Sequence, residues 1–162
     1  MPFTDPKTLG GPNVAAFLDM IAVSEIGPPL LAKSDNGYNV LVGSTPERPV
    51  LFVGYDDHPN VYNPAEHSTA AGRYQILWRY WVIYRQKLAL PNFSPASQDL
   101  YALQQLREQG ALPLIAAGRF GDAVGRVAHI WASLPGSGYG QRENRIELLA
   151  QAYRNAGGTM EA

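Results

Sequence analysis

Cysteine is absent from the 162-residue sequence, which excludes a disulfide framework, a thiolate nucleophile and a cysteine–zinc site together. An excess of charge of either sign is missing too: 13 Lys and Arg stand against 14 Asp and Glu, a formal net charge of −1 with His neutral. Nucleic-acid binding is dominated by phosphate neutralisation, so this balance gives no bulk pull toward DNA or RNA, and no nucleic-acid partner is expected. No apolar run approaches the ~18 residues of a membrane span, so stable membrane insertion is not expected. The first residues, MPFTDPKTLGGPN, hold no apolar stretch behind basic residues and do not read as a secretory signal.

What is present is ordinary globular material. Hydrophobic residues make up 46% and charged residues 17%, a balance that buries a core and excludes a mostly disordered chain. Residues 1–12, rich in Pro and Gly, are expected to form a flexible N-terminal arm, and residues 13–162 a single domain. No internal repeat interrupts it.

Val14, Phe17, Leu18, Ile21 and Ala22 recur at helical spacing, with Asn13 placed to cap the helix and Gly27-Pro28-Pro29 to end it. Helical period then vanishes. Short β-favouring runs at Tyr38–Val42 and Val50–Val53 predict a small hairpin lobe, followed by the loop Tyr55–Asn60. A long helix is predicted over 71–90 from Tyr74, Leu77, Trp78, Trp81, Tyr84 and Leu88. Ser94-Pro95 caps another, to about Gln109; shorter helices are expected near 112–117 and 120–130, and a last one over 142–156, after the glycine-rich loop Leu134–Gly140. The expected class is α+β: a helical lobe plus a small β-hairpin lobe, with an active-site cleft between them.

Glu25 is the anomaly in this pattern. It stands four residues after Ile21 and seven after Leu18, so the period places it on the apolar face of the first helix, near its C-terminus. Lost hydration and the helix dipole would both raise its pKa there, giving the protonated carboxyl that a general acid needs. The competing reading is that the helix frays at Gly27-Pro28 and Glu25 turns to solvent.

Other residues offer less. His58, His67 and His129 fit no His-x-x-x-His pair, and neither a metal site nor a cofactor is expected. No Ser-His-Asp set stands out, so amidase and peptidase readings gain no support. Trp78, Trp81 and Trp131 fall in apolar helical patterns and are expected in the core.

Six segments carry a family resemblance: AAFLDMIAVSE (15–25), YDDHP (55–59), STAAGRYQIL (68–77), FSPASQD (93–99), REQGALP (107–113) and IWASLPGSGYGQ (130–141). In this order, from about residue 14 to 158, the chain resembles the lambda-type phage endolysins. The resemblance implies a lysozyme-like α+β fold and a lytic transglycosylase acting on the MurNAc–GlcNAc β-1,4 bond of bacterial peptidoglycan during host lysis. It also implies that Glu25 is the catalytic carboxyl and that Gly72-Arg73-Tyr74-Gln75 starts the long helix and lines the sugar cleft. Substrate contacts are expected from Tyr55, Asp56, Ser68, Tyr74, Gln75, Tyr139 and Gln141, with YDDHP and the glycine-rich loop closing over the glycan. A monomer is implied, made in the host cytoplasm and reaching the wall through a holin-type pore. Two departures stand out: Asn39, where many relatives have Asp, and the unusually apolar Gly27–Leu31.

Two other functions stay open. A hydrolase on the same bond would need a second carboxylate, with Asp35, Asp56 and Asp57 as candidates. A glycan-binding or virion-structural module would keep the fold without turnover. Gln75 and Tyr139 likewise have bland readings, as a solvated helix residue and a loop anchor.

Overall fold

The structure, a computed structural model, describes residues 1–140 and 143–161. Along these residues run eight helices: α1 (Pro6–Leu9), α2 (Pro12–Ile26), α3 (Pro28–Ala32), α4 (Trp78–Lys87), α5 (Pro95–Glu108), α6 (Ala111–Ala116), α7 (Phe120–Val127) and α8 (Ile146–Asn155). No helix among the described residues is long and apolar enough to cross a membrane. By its internal packing the chain divides into two units, one of residues Met1–Ser24 with Ala102–Ala162, the other of Glu25–Tyr101.

The first unit is built on α2. Val14 to Leu18 and Met20 to Ala22 are all buried, so this helix is covered on every side instead of along one stripe. Phe17 meets the rings of Phe120 and Tyr153 edge-on, with centroids 6.0 and 6.2 Å away. Cutting such a buried ring back to alanine costs about 3–5 kcal/mol. Trp131 is buried in the same unit, as its apolar pattern predicts.

Two expectations for the start of the chain change here. The segment 1–12, read as an arm, contains α1, whose first turn is capped by the Asp5 side chain and whose Leu9 is 1% exposed. Asn13 lies inside α2 and does not cap it, because Pro12 already opens the helix. Its side chain instead accepts the Thr159 backbone N–H at 3.0 Å and donates to the Ile115 carbonyl at 3.3 Å.

In the second unit the predicted hairpin lobe is reduced to isolated β-bridges among the described residues. Residues 39–42 lie between two neighbours. Leu41 N–H donates to Val50 and Phe52 N–H to Asn39 on one side, while Val42 N–H donates to Ala70 and Gly72 N–H to Val40 on the other. Each pairing lasts two bonds before a turn ends it. Gly37 and Gly43 take left-handed φ values of 87° and 83°, and Pro49 has no N–H for a ladder. Val53, expected inside a strand, is fully exposed.

The long helix expected over 71–90 is α4 alone, ten residues long. The preceding Ala71–Ile76 folds into a tight loop closed by reciprocal bonds between Ala71 and Ile76, 2.8 and 3.0 Å long. Gly72-Arg73-Tyr74-Gln75 therefore precedes the helix instead of starting it. Gly72 has φ +81°, and a Cβ there would overlap the Gln98 side-chain amide. Gln75 sits at φ +47°, a conformation that does not continue a right-handed helix.

Candidate active site

Glu25 occupies the last turn of α2, one residue before its end, and is half-buried. The helix stops at Gly27, which has φ +82°, and the unusual apolar segment after it folds as α3 with prolines in its first turn and Leu30 buried. The carboxyl thus hangs from a rigid, buried helix, yet stands at its rim.

Next come the candidates for a second carboxylate, all in the second unit. Asp57 is already occupied: it accepts from Trp81 Nε1 at 2.8 Å, Arg85 Nη1 at 2.6 Å and the His58 backbone N–H at 2.8 Å. Burial works to raise its pKa, but the Trp81, His58 and Arg85 contacts outweigh that and hold it below the ordinary value. It fastens the YDDHP loop to α4. Asp35 is exposed and accepts the Tyr55 hydroxyl at 2.6 Å, while its backbone N–H donates to Asn39 Oδ1 at 2.9 Å. Asn39 thus closes a local turn by accepting, a role an aspartate would also fill. Asp56 is exposed.

His58 is buried. Its Nδ1 accepts the Asn60 N–H at 3.0 Å, which leaves Nε2 to donate to the Ile76 carbonyl at 2.7 Å. This pairing fixes a neutral tautomer, and burial pushes its pKa below the ordinary histidine value, against the pull of Ile76 and Asp57. Among the described residues no group of three or more His, Asp or Glu is placed to hold a metal ion.

The expected substrate-binding residues fall into different settings. Tyr55 is half-buried against Phe52, with ring centroids 5.7 Å apart; burial and the Asp35 bond push its hydroxyl pKa well up. Ser68 is half-buried, pairs with Asn63 through the backbone and accepts the Ala70 N–H at 3.1 Å. Gln75 is half-buried, and its amide donates to the Gly72 carbonyl at 2.9 Å, leaving its carbonyl oxygen for other partners. Tyr139 is 59% exposed and its hydroxyl donates to the His129 carbonyl at 2.7 Å, so it offers a ring face while anchoring its loop. Gln141 lies outside the described residues.

Tyr74 differs from these. It is 1% exposed and belongs to a buried polar cluster. Asp99 accepts both the Tyr38 and Tyr74 hydroxyls, at 2.7 and 2.6 Å. Arg73, fully buried, lies over the Tyr38 ring and donates to the Asn36 carbonyl. Gln98 accepts the Arg73 backbone N–H and donates to the Tyr38 and Phe93 carbonyls. This cluster fixes the 71–76 loop from beneath, so Tyr74 shapes the loop that presents Gln75.

Sequence reasoning missed two residues beyond the glycine-rich loop. The Glu143 carboxylate accepts the N–H groups of Gly136 and Gly138 and the Ser137 hydroxyl, at 2.9, 3.2 and 2.9 Å. Gly136, Ser137 and Gly138 together hold its pKa below the ordinary glutamate value. Asn144 bonds the end of α2. An acidic residue just after a Gly-Ser-Gly turn is the one local hint of the first contact, since such turns turn N–H groups inward.

Comparison with known proteins gives the chain a family. A family model described as Endolysin matches residues 15–160. The chain is 50% identical to the endolysin of Escherichia phage P2, over 90% of this chain and 93% of that one. It is 49% identical to the endolysin of Escherichia phage lambda, over 90% and 91%. Among solved structures it is similar to bacteriophage lambda lysozyme complexed with a chitohexasaccharide, at a TM-score of 0.86 and 46% identity, covering 93% of this chain and 97% of that one. A second structure of the lysozyme from bacteriophage lambda gives a TM-score of 0.80 at the same identity and coverage. With its fold that of lambda lysozyme and its match running nearly end to end, this chain belongs to the endolysin family.

Proposed function

We propose that the protein cleaves the MurNAc–GlcNAc β-1,4 bond of bacterial peptidoglycan as a lytic transglycosylase, with Glu25 as its single acid/base. The observation that carries this reading is the Glu25 carboxyl at the half-buried rim of α2, within the stretch matched by the endolysin family. Glu25 protonates the glycosidic oxygen as the bond to the muramic acid C1 breaks. The substrate's own N-acetyl oxygen stabilises the charge at C1, as in substrate-assisted glycosidases. The C6 hydroxyl of the same muramic residue then attacks C1 and gives its proton to the Glu25 carboxylate. A 1,6-anhydro end forms, no water is consumed, and the acid is regenerated.

A one-carboxyl course suits these surroundings, because Asp57 is committed to Trp81 and Arg85 and Asp35 to Tyr55. Glycan contacts are assigned to Tyr55, Asp56, Ser68, Gln75, Tyr139 and Gln141, and the bound chitohexasaccharide of the lambda lysozyme structure supports a sugar ligand of this type. Tyr74 contributes by holding the loop under Gln75. The protein acts as a monomer on the wall after holin-type release from the host cytoplasm.

Mass spectrometry of muropeptides released from purified peptidoglycan tests the chemistry. Ends lighter by one water are expected, as anhydromuramic acid. Ordinary reducing muramic ends would mean hydrolysis and return Asp35 and Asp56 to consideration as the second carboxylate.

A further inference from the structure

Ser24 stands immediately before Glu25 in the last turn of α2. In a continuing helix its carbonyl would accept the N–H four residues on, but residue 28 is proline and has none to give. The Glu25 carbonyl meets the same loss at Pro29. A helix end deprived in this way needs a donor from elsewhere, or it frays.

The Asn144 side chain supplies that donor. Its Nδ2 lies 3.1 Å from the Ser24 carbonyl and 3.0 Å from the Ser24 hydroxyl. The same hydroxyl pairs with that of Ser133 at 2.8 Å, and the Asn144 backbone N–H donates to the Ser133 carbonyl at 2.8 Å. Ser24, Ser133 and Asn144, all half-buried, thus close a ring of hydrogen bonds on the turn that carries Glu25.

We propose that Asn144 is a positioning residue for Glu25, replacing the helix bond that Pro28 cannot make and so fixing the direction in which the carboxyl leaves the helix. The proposal rests on Glu25 being the acid/base. Acid catalysis is sensitive to such placement: a misplacement near 1 Å costs on the order of 100-fold in rate. An amide is required at 144, because an ionised carboxylate would set its oxygens against the Ser24 carbonyl and could donate to neither acceptor.

The test is steady-state kinetics on soluble glycan strands with N144A, N144D, S24A and E25Q, each checked for native near-ultraviolet circular dichroism. Folded N144A is expected to lose about 10- to 100-fold in kcat with KM nearly unchanged, and N144D to lose at least as much. S24A, which keeps the carbonyl bond, is expected to lose less and reports on the ring should N144A fail to fold. Wild-type kcat in folded N144A or N144D would overturn the proposal, as would a rise in KM alone, which would make Asn144 a substrate contact. Turnover surviving in E25Q would instead remove the Glu25 assignment on which the proposal stands. Loss in E25Q with none in the Asn144 variants would remove the positioning role alone.

Discussion

Asp99 accepts the Tyr74 hydroxyl at 2.6 Å where both residues are buried. Removing that hydroxyl leaves a buried carboxylate with one donor fewer, a loss of about 1–3 kcal/mol. Y74F is therefore expected to lower the melting temperature while leaving KM for glycan unchanged. A raised KM at unchanged stability would place the Tyr74 hydroxyl on the sugar instead.

E25Q keeps the shape of the side chain and removes its proton chemistry. General acid–base catalysis by a positioned group is worth about 10²- to 10⁴-fold, so turbidity clearing of purified walls is expected to fall by at least that range. Sedimentation of the variant with walls is expected to match the parent. Clearing at the parent rate would separate Glu25 from the chemistry.

Asp57 should make the protein acid-sensitive. Its folded pKa is held below the ordinary 3.8 by Trp81, His58 and Arg85, against the upward push of burial. The unfolded chain then binds this proton more readily than the folded one, so the stabilisation is complete above pH 3.8 and is lost as pH falls through the depressed folded value. Thermal melts across that acid range are expected to show a shallower decline for D57N than for the parent, with D57N the less stable of the two at neutral pH. Parallel curves would mean that the Asp57 contacts contribute no net stability.

E143Q tests the glycine-rich loop. The carboxylate gathers three donors, from Gly136, Ser137 and Gly138, whereas an amide offers one acceptor oxygen. Faster hydrogen exchange at Gly136 and Gly138 is expected in the variant, with exchange in α2 unchanged. Because Gly136, Ser137 and Gly138 lower the Glu143 pKa, the parent loop should loosen in the same way only when acid protonates that carboxylate.

Much of the fold could be read locally. The period of Val14 to Ala22 located α2, Ser94-Pro95 located the start of α5, and the patterns around Trp81 and Trp131 put both rings in the interior. The long-helix reading failed at its start, where Tyr74 and Leu77 precede α4 yet keep helical spacing with Trp78 and Trp81. Tyr74 is buried by its bond to Asp99 and the fully buried Arg73 by Tyr38 and Asn36, and partners so far along the chain leave no trace in a periodicity. Asp57 read as a candidate nucleophile or base because its Trp81 and Arg85 donors are likewise remote. Glu25 stood out because a carboxyl in an apolar period is rare; the Asn144 contact to Ser24 did not, since its partner lies 120 residues away.

The ring of Phe17 is closed over by Phe120 and Tyr153, and Asn13 is held by Thr159. Emerging from the ribosome, α2 therefore waits with its apolar surface uncovered until almost the whole chain has been made, while residues 25–101 already have their internal partners at hand. Long-range closure of this kind is slow and exposed to aggregation. It also orders assembly: α2, whose last turn carries Glu25, cannot gain this packing before Phe120 and Tyr153 have been made.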